Sequence, residues 1–193
     1  SLGEISPDDI QKAITPKTIL ITVMHANNEV GTIQPIKEIS EIAKRHRILF
    51  HTDSAQSVGK IDTQVDDLGV DLLSVAGHKL YAPKGVGALY IREGTPIEPL
   101  IHGAGHESGR RAGTENVLLI VGLGKACEAA KKYLNDDKIR NLRDRFWEML
   151  QKNSNNEVVL NGHLIHRLPN TLNVSFVGRV GLELLAQLDG VAA

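Results

Sequence analysis

The segment Leu72-Leu73-Ser74-Val75-Ala76-Gly77-His78-Lys79 decides how the rest of the chain is interpreted. Its first five residues are mostly apolar and have the length of a buried strand, and Gly77 ends the run. A second apolar run, Ile48-Leu49-Phe50-His51-Thr52-Asp53, ends in a carboxylate. In open α/β sheets, ligands bind in the crevice outside the carboxyl ends of the strands. The two runs therefore predict a site that contains the acidic side chain of Asp53 and the amine of Lys79.

This pair of side chains matches the needs of one cofactor. Because it directly follows a buried strand, we expect Lys79 to be withdrawn from water, which makes its ammonium form costly and favours a neutral amine. Pyridoxal phosphate (PLP) needs an amine for its aldehyde and a carboxylate that keeps its ring nitrogen protonated. Taken alone, Lys79 is better explained as a solvated loop lysine. Asp53, with Gln56 three residues later, shifts the balance toward a PLP site.

Composition limits the class of protein. The 193 residues are 41% hydrophobic and 23% charged, as is ordinary for a globular protein. A net charge of −1 gives no support for a nucleic-acid or anionic-membrane partner, and the longest apolar runs are far shorter than a membrane span. The single cysteine excludes an internal disulfide framework and a CxxC metal cage within these residues.

The order of the predicted elements indicates an α/β fold. Apolar strand-length runs lie at 19–24, 48–53 and 72–76, and a segment with helical periodicity separates the first two. This order favours a mostly parallel sheet with helices on its faces. We expect the first strand to be buried on both faces. The segment 87–92 follows the Lys79 strand so closely that it is predicted to pair antiparallel, which makes the sheet mixed.

The carboxyl-terminal part of the sequence predicts a second, smaller domain. A long helix is expected from about Val117 to about Leu134, capped by Thr114 and Glu115, and a further helix and short strands follow it. We place part of a large cofactor domain at residues 1–125. Residues 126–193 are assigned to a connecting helix and part of a small α+β domain.

Other chemistries fit the sequence less well. Asp53 is not preceded by the GxGxxG turn that a ribose-binding carboxylate of a dinucleotide site requires, and no P-loop is present. His102 and His106 are four residues apart, but the segment between them is too rich in glycine to be a helix, so we expect no metal site there. Cys127, in an apolar helical segment, is expected to be buried and inert.

Four segments together resemble those of the cysteine desulfurases, which are PLP enzymes of fold type I in the aminotransferase class V group. They occur in the same order, and residues 189–193 resemble the run that leads to the catalytic-cysteine loop of that family. The segments are His25-Ala26-Asn27-Asn28-Glu29-Val30-Gly31, His51 to Lys60, Gly77-His78-Lys79-Leu80-Tyr81, and Arg111-Ala112-Gly113-Thr114-Glu115-Asn116.

The resemblance implies a role for individual residues. Lys79 would bind the cofactor covalently and move the substrate Cα proton, and Asp53 would pair with the ring nitrogen. Gln56 would donate a hydrogen bond to the ring oxygen. Asn28 would lie beside the ring, and the cofactor phosphate would be bound by His78 and by Thr114 of a second subunit, which implies a homodimer.

The sequence also departs from the pattern of that family. Ala76 occupies a position where the family often has a hydroxyl residue on the phosphate. The chain begins without methionine and with no segment that resembles the upstream half of the cofactor domain. We therefore expect an internal fragment that lacks the catalytic cysteine and is inactive on its own.

The implied activity is conversion of L-cysteine to L-alanine, with the sulfur passed to an enzyme cysteine as a persulfide. Sulfur-acceptor proteins or an iron–sulfur scaffold would be its partners, and we expect a cytoplasmic location, with an organellar one left open. Two alternatives are selenocysteine lyase, whose substrate choice lies partly in the catalytic-cysteine loop, and a non-catalytic scaffold with a PLP fold.

Overall fold

The computed structural model describes residues 2–134, 137–155, 157–188 and 190. The chain divides into two compact units. We call residues 5–25 and 34–135 the sheet unit, and residues 1–4, 26–33 and 136–193 the small unit. The assignment of residues 1–125 to a large cofactor domain and of residues 126–193 to a connecting helix and a small domain stays a prediction. Residues 189–193 resemble the run that leads to the catalytic-cysteine loop of the family. Of these residues, only Gly190 lies within the described part of the chain.

The sheet unit contains four helices and four strands. In chain order they are α1 (Pro7–Ala13), β1 (Leu20–Met24), α2 (Ile36–His46), β2 (Leu49–Asp53), α3 (Val65–Leu68), β3 (Leu72–Ala76), β4 (Gly87–Ile91) and α4 (Val117–Lys131). A 3-10 helix, Gly77–Leu80, directly follows β3.

The four strands form one mixed sheet in the order β1-β2-β3-β4. Strands β1, β2 and β3 are parallel, and β4 pairs antiparallel with β3. This confirms the predicted mixed α/β fold, including the antiparallel return strand. The chain turns back within residues 77–86, which is too short for the crossover that a parallel neighbour of β3 would need.

One face of the sheet forms the core of this unit. Phe50 is 1% exposed and packs in a cluster with Ile21, Val23, Leu73 and Ile39 of α2. The prediction that β1 is buried on both faces is wrong, because burial alternates along β1 and Leu20 is 44% exposed. The sequence run is continuously apolar, and only the packing of the helices decides which face is covered.

The helix ends follow local sequence rules only in part. Ile36, Ile39, Ile42 and Ala43 of α2 are buried on one face, as their spacing predicts. Thr114 and Glu115 do not cap α4. Its N-cap is Asn116, whose side-chain oxygen accepts a hydrogen bond from the Leu119 amide at 3.3 Å.

The small unit contains α5 (Lys138–Asn153), β5 (Val158–Leu160), β6 (Val174–Phe176) and α6 (Gly181–Leu185). Strands β5 and β6 pair antiparallel. Arg143 of α5 donates to the Leu168 carbonyl at 2.7 Å, which ties the helix to the loop before β6. Among the described helices, none has both the length and the apolar character needed to cross a lipid bilayer.

Candidate active site

The fold delivers Asp53 and Lys79 to the same edge of the sheet. Asp53 is the last residue of β2, and its register partner in β3 is Ser74. Strand β3 ends two residues later, at Ala76, and the 3-10 helix that follows it carries Lys79. Because β2 and β3 are parallel neighbours, their carboxyl ends lie side by side. Asp53 and the segment that carries Lys79 therefore lie at the same edge of the sheet.

The carboxylate of Asp53 is fixed by the backbone around it. Its Oδ1 accepts a hydrogen bond from the Ala55 amide at 2.9 Å, and its own carbonyl accepts from the His25 amide at 2.8 Å. The side chain is half-buried and lies on the sheet face opposite the core, because its neighbour Thr52 points into the core. A carboxylate held in this way can accept a further charge-assisted hydrogen bond from a ligand.

Three polar side chains near Asp53, one from each of β1, β2 and β3, form a hydrogen-bonded row. His51 Nδ1 lies 2.7 Å from Thr22 Oγ1 of β1, and His51 Nε2 lies 2.9 Å from Ser74 Oγ of β3. Burial lowers the pKa of His51, and the nearby Asp53 carboxylate acts in the opposite direction. His51 lies in the apolar run that ends at Asp53. Its partners Thr22 and Ser74 lie on neighbouring strands, so only the register of the sheet reveals them.

The 3-10 helix after β3 is held at its ends and open in the middle. Gly77 and Leu80 are buried, whereas His78 and Lys79 are exposed. A Cβ atom at Gly77 would lie 2.6 Å from the Val86 carbonyl oxygen, so the close approach of β4 requires glycine there. The expectation that Lys79 is withdrawn from water is wrong in the described structure, because the Lys79 side chain is exposed to solvent on the 3-10 helix.

Gln56 lies in the turn that follows Asp53. Its side-chain oxygen, Oε1, accepts a hydrogen bond from Lys60 Nζ at 3.3 Å. Among the described residues, the amide nitrogen of Gln56 has no hydrogen-bond partner. The amide can therefore donate to a ligand oxygen at this edge of the sheet.

The other predicted site residues are less closely tied to this edge. Asn28 belongs to the small unit, where it is exposed in a turn whose amides are bound by the side chain of Asn27. Thr114 is exposed in the loop before α4, and it makes no hydrogen bond to another described residue. The roles of Asn28, His78 and Thr114, like those of Asp53, Gln56 and Lys79, stay predictions.

The donor set at the edge fits PLP. Asp53 offers a carboxylate for a protonated ring nitrogen, Lys79 offers an amine for an aldehyde, and Gln56 offers an amide for a phenolate oxygen. The hydroxyl of Ser54 next to Asp53 is also buried without a partner among the described residues, which leaves a further polar group at this edge. The chemistry of these side chains is thus complementary to the cofactor.

A family model described as aminotransferase class-V matches residues 1–189. The chain belongs to this family. Enzymes of the family use PLP, in agreement with the donor set at the sheet edge. The resemblance drawn from the four sequence segments is confirmed.

Similar proteins place the chain among desulfurase relatives. A cysteine desulfurase IscS of Dictyoglomus turgidum is 53% identical over 97% of this chain and 48% of its own length. A solved structure of a NifS-like protein superposes with a TM-score of 0.89 at 40% identity, over 95% of this chain and 51% of that chain. A structure of SspA in complex with cysteine superposes with a TM-score of 0.77 at 42% identity, over 91% of this chain and 48% of that chain. The class-V chain therefore spans about half the length of the curated relatives it matches.

The small unit of this class-V chain holds a cluster of one carboxylate and two histidines, which is a composition also found in metal sites. Glu4, His163 and His166 bring three possible ligand atoms within 4.8 Å of one another. The two imidazole rings are stacked 4.5 Å apart and nearly parallel, so one ion cannot lie in the plane of both. His163 Nδ1 also accepts the amides of Ile165 and His166, which leaves the proton of the neutral ring on Nε2, facing Glu4. The two histidines are therefore better placed to share the Glu4 carboxylate than to bind one metal ion.

The prediction that Cys127 is buried is wrong. It lies in α4, and its side chain is exposed. The sequence of α4 is apolar on nearly every side, so no polar face distinguishes its buried side from its exposed side. The helix packs against the 3-10 helix that carries Lys79.

Proposed function

We propose that the protein containing these residues is a PLP-dependent cysteine desulfurase. The observation that carries the proposal is the delivery of Asp53 and Lys79 to one edge by two parallel strands. Relatives named cysteine desulfurase, together with a similar fold solved in complex with cysteine, support L-cysteine as the substrate.

The proposed reaction is balanced without an external oxidant. L-Cysteine and an acceptor thiol give L-alanine and a persulfide. The acceptor thiolate forms a bond to the substrate sulfur, and the bond between Cβ and sulfur breaks. The electron pair of that bond remains with the carbon skeleton, which takes up a proton, so the carbon is reduced while the sulfur is oxidised.

The residues at the sheet edge have separate roles in this reaction. When bound, PLP supplies an electron sink that stabilises negative charge at the substrate Cα. Lys79 would hold the cofactor through Nζ, and its free amine would move the Cα proton when substrate is bound, which its exposed position allows. Asp53 keeps a positive charge on the ring nitrogen through its carboxylate, which the Ala55 amide orients. Gln56 donates to the ring oxygen.

The remaining contacts extend the same proposal. His78 precedes Lys79 in the exposed part of the 3-10 helix and binds the cofactor phosphate. Thr114 binds the phosphate in the site of a second copy, and Asn28 lies beside the ring. Ala76 offers no hydroxyl at the end of β3, so one phosphate contact found in many relatives is replaced or lost.

We further propose that the protein is a homodimer. The surface of α4 supports this, because Val117, Leu118 and Val121 are 64%, 85% and 65% exposed. Apolar side chains in such a group are typical of a surface that another chain covers. Thr114 lies three residues before this helix, so a dimer contact here would bring it toward a second copy.

The acceptor cysteine is proposed to lie outside these 193 residues. Cys127 is the single cysteine of the chain, and it lies within a regular helix instead of a loop that can reach substrate. The persulfide would pass its sulfur to an acceptor protein, such as an iron–sulfur scaffold. A cytoplasmic location is part of the same proposal.

The test uses the full-length protein that contains these residues. It is mixed with PLP and treated with borohydride, which fixes a lysine–cofactor bond, and the labelled peptide is identified by mass spectrometry. Lys79 is expected to carry the label, and Lys79→Ala abolishes it. Lys84→Ala, which changes an exposed lysine of the same segment, keeps it. A label on another lysine contradicts the proposal.

Product analysis then separates the possible activities. Alanine and persulfide formed from L-cysteine support the desulfurase. Alanine formed from selenocysteine but not from L-cysteine indicates a selenocysteine lyase. Binding of PLP with no alanine formed from either amino acid indicates a scaffold. The 193-residue chain alone is expected to form no alanine, because the acceptor cysteine is proposed to lie outside it.

A further inference from the structure

Lys60 is a cation at the site that no part of the proposed function uses. It lies at the end of the turn after β2, seven residues beyond Asp53. The turn is helical in character, because the amides of Val58 and Ile61 bond the carbonyls of Ser54 and Ser57. Residues four apart in such a turn face the same side. Lys60 is therefore placed beside Gln56.

The contact between Lys60 and Gln56 has a defined direction. An ammonium group only donates hydrogen bonds, so its 3.3 Å contact with Gln56 is satisfied by the amide oxygen and not by the amide nitrogen. This contact fixes which end of the amide faces Lys60. The nitrogen end is then left to donate elsewhere, and a ring phenolate oxygen needs such a donor.

The support beneath this contact is rigid. Ser54 and Ser57 are both fully buried, and Ser57 Oγ donates to the Ser54 carbonyl at 3.3 Å. Lys60 itself is half-buried, so its side chain has fewer alternative positions than a solvated lysine. Burial lowers the pKa of Lys60, and the positive charge of Lys79 lowers it further.

We infer that Lys60 is a positioning residue that orients the side chain of Gln56 toward the cofactor. This inference rests on the proposed function. Without the ammonium, the amide can rotate and present its oxygen instead of its nitrogen, which opposes binding of a phenolate. Lys60 thus acts on the cofactor only through Gln56.

The inference is tested by a double-mutant cycle on the full-length protein, with PLP as the probe. Lys60→Met removes the donor and keeps much of the side-chain volume, Lys60→Arg keeps a donor and a charge, and Gln56→Ala removes the amide. The dissociation constant for PLP is measured by absorbance titration, and the band of the bound cofactor is followed against pH. Thermal unfolding identifies any variant that fails to fold, and Lys60→Leu, which also lacks a donor, then replaces Lys60→Met.

The inference predicts a different PLP affinity for each variant. Lys60→Met raises the dissociation constant about tenfold and shifts the pH profile of the cofactor band, because a charge-assisted bond has been lost. Lys60→Arg restores most of the affinity. In the Gln56→Ala background, Lys60→Met has little further effect.

Two outcomes overturn the inference in distinguishable ways. If the wild-type protein binds PLP at Lys79 but Lys60→Met binds it equally well, or if the effects of Lys60→Met and Gln56→Ala are additive, Lys60 does not act through Gln56. If the wild-type protein does not bind PLP at all, the proposed function fails, and this inference fails with it.

Discussion

Asp53 and Ser74 lie opposite each other in the parallel strands β2 and β3, and Lys79 follows Ser74 by five residues. This register determines the chemistry at the sheet edge. A shift of one residue would turn Asp53 into the core and Thr52 outward. Asp53, the Ser74 hydroxyl and the segment that carries Lys79 therefore depend on one alignment of two strands.

Substitution of Asp53 should separate charge from geometry. Asp53→Asn keeps an oxygen that can accept the Ala55 amide, but it removes the negative charge that a protonated ring nitrogen needs. We expect a loss of at least about tenfold in PLP affinity and a larger loss in alanine formation, since one charge-assisted bond contributes about 1.5–3 kcal/mol. Absorbance titration measures the first and product analysis the second. Unchanged binding by Asp53→Asn would remove Asp53 from the site.

Gly59 should matter both for stability and for the position of Lys79. Its φ is +76°, and a Cβ there would lie 2.5 Å from a methyl carbon of Leu80 and 2.9 Å from the Cβ of Ala130. Gly59→Ala should therefore destabilise the fold by about 1–3 kcal/mol and displace the 3-10 helix, with weaker borohydride labelling of Lys79.

The matched control for this substitution is Gly124→Ala in α4. A Cβ at Gly124 meets nothing within 4 Å, so the substitution should stabilise the helix by up to about 1 kcal/mol. Urea unfolding compares the two variants. Equal effects of both would show that the packing around Gly59 is not decisive.

The stability of the chain should fall in mild acid because of His25. This side chain is 4% exposed, and burial lowers its pKa to about 4, against a weaker opposing effect of Asp62. Below pH 6.5 the unfolded chain binds a proton at His25 that the folded chain binds only near pH 4, so acid favours unfolding. Between pH 7 and pH 5 this group should cost about 2 kcal/mol of the free energy of unfolding.

Urea unfolding at several pH values checks this prediction. His25→Gln should reduce the slope of stability against pH, whereas His46→Gln, at an exposed position of α2, should leave it unchanged. If wild type and His25→Gln lose stability in parallel, His25 is not the group responsible.

Arg167 should be replaceable by an apolar side chain. It is 7% exposed in the small unit, and its Nε and Nη2 atoms have no partner among the described residues. Burial lowers its pKa, and the charge of Arg143 lowers it further. Because a buried cation with unpaired donors is costly, Arg167→Met is expected to be neutral or to stabilise the protein by about 1–3 kcal/mol.

Thermal and urea unfolding test this expectation. Arg179→Met, which changes an exposed arginine of the same unit, should alter stability by less than about 0.5 kcal/mol. A large loss of stability in Arg167→Met would reveal a favourable contact for its guanidinium.

The sequence by itself determined where the strands of the sheet unit lie along the chain and which residues follow them. Two apolar runs that end in Asp53 and near Lys79 were enough, because strand length, hydrophobic runs and polar ends are local properties. The antiparallel return of β4 also followed from the short connection alone. The class-V family could be recognised from the ordered segments around these residues.

Only the tertiary structure decided which faces are covered. The exposure of Lys79 and Cys127 and the one-sided burial of β1 depend on which helices pack where, and continuous apolar runs do not encode that choice. The row formed by Thr22, His51 and Ser74 joins residues from three strands, so it exists only once the register is fixed. Local patterns set what each element is, whereas contacts between distant residues set what each side chain can reach.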